Sequence, residues 1–236
     1  NPLNEHLLHR NYLKNERAEH YILSLSRNVN KRTFRTEVYY KNYSDLVKYG
    51  TSFQAPYQNT GSGFAYGFDL YFKDTKTIKN GTYWVSYSFL QSERDFRSYP
   101  HAATPTFAVP HSLTVVYKHW IGDWRSYVGA SFRYGSPRVY NDKNSSEFNA
   151  AKLPSNASLD INWSFLYRQN VIFYASATNV LGFDQVFGYR YDAVPNSNGV
   201  YGRTPILPAA KSFFFVGCFI TLTKNGETNQ MDKINM

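Results

Sequence analysis

The sequence predicts an all-β fold of about nine antiparallel strands, each with one apolar and one polar side. Three observations predict it. Apolar and polar residues alternate over repeated segments, helical spacing of apolar residues is almost absent, and short polar turns alternate along the chain with long loops rich in Gly, Pro, Asn and Tyr. The composition agrees. Of 236 residues, 21 are Tyr, 18 Phe and 4 Trp, so aromatics reach 18% while the mean hydropathy is -0.50. Such a chain is too aromatic for disorder and has no coiled-coil or collagen bias.

The strands follow in order. Weak alternation marks Ala18 to Arg27 and Thr33 to Lys41. From Phe64, the residues Phe64, Tyr66, Phe68, Leu70 and Phe72 fall on one side, and Ala65, Gly67, Asp69, Tyr71 and Lys73 on the other. Tyr83, Val85, Tyr87 and Phe89 repeat the pattern, as do Leu113, Val115 and Tyr117. A weaker copy covers Arg125 to Tyr134. The cleanest is Leu159, Ile161, Trp163, Phe165 and Tyr167 against Ser158, Asp160, Asn162 and Ser164. Val171 to Thr178 and Ser212 to Thr223 complete the set.

Turns are expected at Asn28–Lys31, Asp74–Gly81, Ile121–Asp123 and Arg168–Asn170, and long loops near Tyr49–Ser62, Glu93–Pro110, Gly135–Ser155 and Leu181–Ala210. Strands of about 9 to 11 residues joined alternately by tight turns and long loops suit a transmembrane β-barrel. The longest uninterrupted apolar run, Phe213 to Ile220, is far shorter than the roughly 18 residues of a spanning helix. Tyr and Trp flank the apolar side, as at Tyr39, Tyr40, Tyr43, Tyr83, Trp84, Trp120, Trp124, Tyr134 and Tyr140, the placement expected of aromatic girdles.

On this reading Phe64, Phe68, Leu70, Val85, Phe89, Leu113, Val115, Leu159, Ile161, Trp163 and Phe165 face lipid. Arg35, Glu37, Asp69, Lys73, Arg133, Asp160 and Asn162, with small residues such as Ser24, Ser88 and Thr114, face a watery lumen. Charge is nearly absent from the centre of the apolar side, where a Lys or Arg would cost roughly 2 to 4 kcal/mol. A soluble, aromatic-rich β-sandwich that binds a ligand alternates in the same way, so that alternative stays open at this stage, as does a small passive porin or adhesin barrel.

Several segments resemble the C-terminal barrel of TonB-dependent outer-membrane receptors, especially the Bacteroidetes forms. Leu13, Glu16, Arg17 and Tyr21 are similar to the family's L-x-P-E-x…Y strand start, with Asn15 in place of proline. Ala65 to Asp69 resemble its A-x-G-apolar-acidic strand, and Thr104, Pro105 and His111 its T-P…H approach. Ala177 to Gly182 resemble the penultimate strand's exit. Lys211, Ser212, Phe213, Phe214, Gly217, Phe219 and Ile220 resemble the closing strand, with Leu222 where an aromatic residue is usual.

The resemblance implies a bacterial outer-membrane location and energised uptake of a scarce nutrient: a siderophore–metal chelate, cobalamin or a glycan. It implies partners too: outer-membrane lipid, an N-terminal plug and further barrel strands of the same protein, the TonB energy-transducing complex, and in some forms a surface lipoprotein. Residues 1–223 would be the C-terminal portion of the barrel and 224–236 a polar tail. Barrels of this class have about 22 strands, so nine would leave two edges, expected near Tyr21 and Phe215. The opening residues Asn1 to Lys14 lack the zones of a signal peptide, which suits a chain whose leader was removed or which continues a longer one. External loops form the family's ligand site, so the implied contacts are Arg94, Arg97, Tyr99, Arg138, Tyr140, Arg190, Tyr191, Tyr201 and Arg203. Arg suits anionic groups and Tyr suits stacking.

Other classes fit poorly. Lys and Arg total 26 against 17 Asp and Glu, a net charge of +9, but the basic residues are scattered without a stripe, so no nucleic-acid partner is expected. Cys218 is the single cysteine, and His6, His9, His20, His101, His111 and His119 show no ligand spacing beyond His6 and His9. No phosphate loop or nucleophile elbow is present, so neither enzyme, cofactor nor metal is expected.

Overall fold

The computed structural model describes residues 13–49, 57–168 and 170–222. The tail 224–236, His6 and His9, and residues 50–56 of the loop expected at Tyr49–Ser62 lie outside the described residues. The strands are β1 (Arg17–Val29), β2 (Arg32–Lys48), β3 (Gln58–Asp74), β4 (Gly81–Asp95), β5 (His111–Ile121), β6 (Ser126–Gly135), β7 (Val139–Tyr140), β8 (Ala151–Lys152), β9 (Asn156–Arg168), β10 (Val171–Thr178), β11 (Gly188–Tyr191), β12 (Arg203–Ile206) and β13 (Phe213–Ile220). Nine of them form one antiparallel sheet in the order β1-β2-β3-β4-β5-β6-β9-β10-β13. The pairs β7–β8 and β11–β12 are separate small hairpins in the loops after β6 and β10.

All nine long strands expected from alternation are present, and within the described residues β1 and β13 are unjoined edges. The strands next to the first long loop run further than expected: β2 and β3 have 17 residues each. Their extra length carries bulges at Tyr43/Leu46 and Leu46/Lys48, with Asp45 at φ 56°, which breaks the strict alternation used to find their ends.

The turns are tight where expected. Asn30 and Lys31 have φ 51° and 62°, the left-handed pair of a two-residue hairpin. In the next turn the Asp74 carboxylate accepts from the amides of Lys76 (2.7 Å) and Thr77 (2.8 Å), the Thr77 hydroxyl (2.7 Å) and Arg32 Nε (2.7 Å). One nearly buried carboxylate thereby closes the β3–β4 turn and ties it to β2.

Direct cross-strand partners share a face, so register assigns every side chain. One row reads Leu25, Thr36, Leu70, Tyr87, Leu113, Tyr134 and Ala157; the next reads Ser24, Glu37, Asp69, Ser88, Ser112, Gly135 and Asn156. The eleven residues expected to meet lipid all lie on the first, apolar face, and the seven expected to line a lumen all lie on the second. Two features differ from expectation. Tyr39, Tyr43, Trp84 and Trp120 lie on the polar face, because neighbours in a strand point to opposite sides and adjacent aromatics cannot both join one girdle. In β13, Phe213, Phe215 and Phe219 bring apolar rings to the polar face at the edge of the sheet.

No second sheet covers the apolar face among the described residues. Trp163 is 40% exposed and Leu70 38%, and Phe68 and Val115 are half-buried, so these residues are not sealed in a two-layer core. Several polar atoms on that face are paired locally. Tyr87 Oη lies 2.7 Å from His111 Nδ1, Tyr117 Oη lies 2.8 Å from His119 Nδ1, and Trp163 Nε1 donates to Ser126 Oγ at 3.1 Å.

Candidate functional site

The long loops all leave one end of the sheet, since strands alternate in direction and every second connection is long. Three of them meet there. The loop after β6 holds β7 and β8, and the loop after β10 holds β11 and β12. Tyr201 N–H donates to Asn144 Oδ1 at 2.8 Å, and Asn144 Nδ2 donates to the Tyr201 carbonyl at 2.9 Å. Arg203 Nη1 donates to Tyr140 Oη at 2.7 Å and to Asp142 Oδ2 at 3.1 Å, while Tyr140 Oη donates to the same carboxylate at 3.2 Å. Arg138 Nη2 donates to the Phe187 carbonyl at 2.6 Å.

Aromatic rings fill the junction. Tyr140 and Tyr189 have centroids 5.2 Å apart, the Arg203 guanidinium sits 4.8 Å from the Tyr189 centroid, and the Lys143 ammonium 5.1 Å from that of Tyr201. Asp142 is held below the usual carboxylate range, first by the Asn144 amide and then by the phenols of Tyr191 and Tyr140. Burial, followed by the Asp142 carboxylate, pushes the Tyr191 phenol up, so it stays protonated.

A second cluster lies at the end of β4. The Arg94 guanidinium is 4.1 Å from the Tyr43 centroid, 5.4 Å from Phe107 and 5.7 Å from Phe96. Tyr99 packs against Phe96 and Phe148, each at 4.8 Å, and Asn149 Nδ2 donates to the Thr104 carbonyl at 3.1 Å. These last contacts join the loop after β4 to the loop after β6. Arg97, at φ 52°, pairs its backbone with Val47 and Tyr49 and sets its guanidinium 5.2 Å from Phe96.

Of the nine candidates, the structure brings Arg138, Tyr140, Tyr191, Tyr201 and Arg203 together, and Arg94, Arg97 and Tyr99 separately. Arg190, on β11 opposite Thr204, is exposed, and its side chain is in none of the ion pairs among the described residues. Arg94, Arg138 and Arg203 are engaged in loop packing. Alternation and composition missed Asp142, Lys143, Asn144, Phe148 and Tyr189, because contacts between distant loops leave no periodic trace.

On the polar face, close to the loops, Arg133 is ion-paired with Asp160, which also accepts from Ser158 Oγ (2.6 Å) and the Asn179 amide (2.9 Å). A cavity of about 650 Å³ opens here, lined by Arg133, Asp160, Thr114, Asn156, Gln185 and Lys211 among others. Lys211 is paired with Asp184 at 2.8 Å. Glu37 and Asp69 face each other directly across β2 and β3, Lys73 lies towards the turn end, and Asn162 neighbours Gly129 on β6. No group of His, Cys, Asp and Glu that could hold a metal occurs among the described residues.

No protein-family model matches the chain, and no curated protein matches it. Solved structures do. The chain is similar to the ferric citrate transporter FecA in its unliganded form, with a TM-score of 0.66 and 12% identity over 92% of this chain and 33% of that one. It is similar to the ferric-catecholate import receptor Fiu of Escherichia coli K12, with a TM-score of 0.64 and 12% identity over 88% of this chain and 28% of the receptor. The copper transporter OprC gives 0.64 and 15%, over 89% and 32%. The chain therefore spans about a third of the length of these structures, and its fold is that of part of an outer-membrane transporter barrel.

Proposed function

We propose that the chain is the C-terminal portion of the barrel wall of a TonB-dependent outer-membrane receptor, which imports a scarce nutrient with energy supplied from the inner membrane. One observation carries the reading. A single nine-stranded sheet, paired neighbour to neighbour, has an apolar face that no second layer covers among the described residues, with polar atoms such as Tyr87–His111 and Trp163–Ser126 paired on the face itself. Hydrocarbon offers no hydrogen-bond partners, so a membrane face must supply its own. A water-covered face has no such need.

In this reading residues 1–223 belong to the barrel, 224–236 form a polar tail, and strands elsewhere in the protein pair with β1 and β13. The apolar face meets acyl chains and the polar face lines the lumen. The joined external loops admit cargo, with exposed Arg190 the candidate for an anionic group. A plug, the TonB complex and a surface lipoprotein are partners of the whole protein.

The test uses the complete gene product in its host. Expected are co-sedimentation with outer membranes, heat-modifiable mobility in detergent, and nutrient-limited growth that requires both this gene and the inner-membrane energising complex. A protein that stays soluble and monomeric without detergent overturns the reading.

A further inference from the structure

The cavity of about 650 Å³ at the loop end of the polar face carries no unmatched cation in its lining. Of its two basic residues, Arg133 is ion-paired with Asp160 and Lys211 with Asp184. Asp160 is committed as well, since it also accepts from Ser158 Oγ and the Asn179 amide. The other polar side chains of the lining are neutral, among them Ser112, Thr114, Asn156 and Gln185. The floor is open. Ser112, Gly135 and Asn156 are direct partners across β5, β6 and β9, so the two polar side chains stand two interstrand spacings apart, about 9.6 Å, with bare backbone between them. A Cβ at Gly135 would meet only Val109, at 3.5 Å.

An anion seated here would have to draw Arg133 from a carboxylate that it shares with two other donors, or Lys211 from Asp184, and would then lie against the carboxylate it displaced. Neutral partners meet no such opposition. Hydroxyl and amide side chains both donate and accept, so a ligand that meets them on both sides of the trough needs groups with the same double capacity at several points. Large apolar groups find little to pack on, because Leu113 and Tyr134 turn to the other face and Val109, Pro208 and Ala210 are short. Sugar rings, with a hydroxyl on most carbons, answer that description. The volume lies within the roughly 300 to 1,000 Å³ typical of small-ligand sites.

We propose that this cavity is a binding site for neutral, hydroxyl-rich cargo, the sugar units of an uncharged oligosaccharide. The inference deepens the transport reading and rests on it, since it takes the polar face as the lumen wall. Exposed Arg190 lies outside this lining.

The test exposes the purified full-length protein, in a detergent without sugar head groups, to an array of neutral and acidic oligosaccharides and to ferric citrate. At least one neutral oligosaccharide should be retained. Its Kd by titration calorimetry should change less than about twofold between about 0.05 and 0.5 M NaCl, because an uncharged ligand has no Coulomb attraction to screen. Gly135→Leu, which fills the trough, and Ser112→Ala combined with Asn156→Ala should each weaken binding at least about tenfold. Thr82→Ala, at the turn end of β4, should leave it unchanged. Retention of acidic oligosaccharides or ferric citrate alone, retention of no probe, or a Kd that rises steeply with salt overturns the proposal, as does a neutral ligand indifferent to the cavity variants. Should those variants fail to assemble, retention and salt dependence in the otherwise unaltered protein still decide. Outer-membrane fractionation and dependence of growth on the energising complex report separately on the transport reading: energised import of an anionic chelate would end this inference and leave that reading standing.

Discussion

Asn144 and Tyr201, 57 residues apart in the chain, exchange two hydrogen bonds, so that a side-chain amide pairs with a backbone as a neighbouring strand would. The pair fastens the loop after β6 to the loop after β10. Arg203, reaching Tyr140 and Asp142, fastens it a second time. The two longest connections are thereby fastened to each other, which explains why Arg138 and Arg203, expected to contact cargo, are occupied within the loops.

Asn144→Ala should release this junction. Two hydrogen bonds of about 0.5 to 1.5 kcal/mol each are lost, so the amide protons of residues 196–203 should exchange faster by roughly tenfold. Hydrogen–deuterium exchange on the full-length protein in detergent reads this, and β1–β6 should keep their protection.

The junction should respond to acid. Asp142 is held below the usual carboxylate range, and a depressed folded value means that its contribution is complete above the unfolded value of about 3.9 and is lost as pH falls through the folded one. Exchange of the same loop amides should therefore rise only below about pH 4. Asp142→Asn should raise it at neutral pH and flatten the acid response.

Adjacent residues on β5 test what wets each face. Val115→Arg puts a charge on the apolar face and should cost roughly 2 to 4 kcal/mol on folding into lipid vesicles if it lies near the midplane. Thr114→Arg, one residue away on the polar face, should cost much less. Guanidinium titration of the full-length protein in vesicles compares them, and equal costs would remove the case for lipid.

Gly67 has no room for a side chain. A Cβ there would lie 2.0 Å from the Phe89 carbonyl oxygen and 2.6 Å from Tyr39 Oη, and Tyr39 is its direct partner across β2. Gly67→Ala should therefore disturb the β2–β3–β4 pairing and lower the yield of heat-modifiable protein. Ala65→Gly, on the same face, should do so far less.

The sequence by itself determined the strands, their two faces and the edges near Tyr21 and Phe215. A period of two is written into neighbouring residues and survives without knowledge of the rest of the chain. It even contained the facing of Trp84 and Trp120, which follows from Tyr83 and Lys118 once strict alternation is applied. Bulges blurred the ends of β2 and β3, where Asp45 takes a left-handed conformation and the period slips. Only the tertiary structure decided which loops touch, which arginines are spent on carbonyls, rings and carboxylates, and that Ser112, Asn156 and Gln185 line one cavity. Such meetings depend on strand order and register summed across the sheet. A contact such as Arg203 with Tyr140 spans 63 residues and has no local signature.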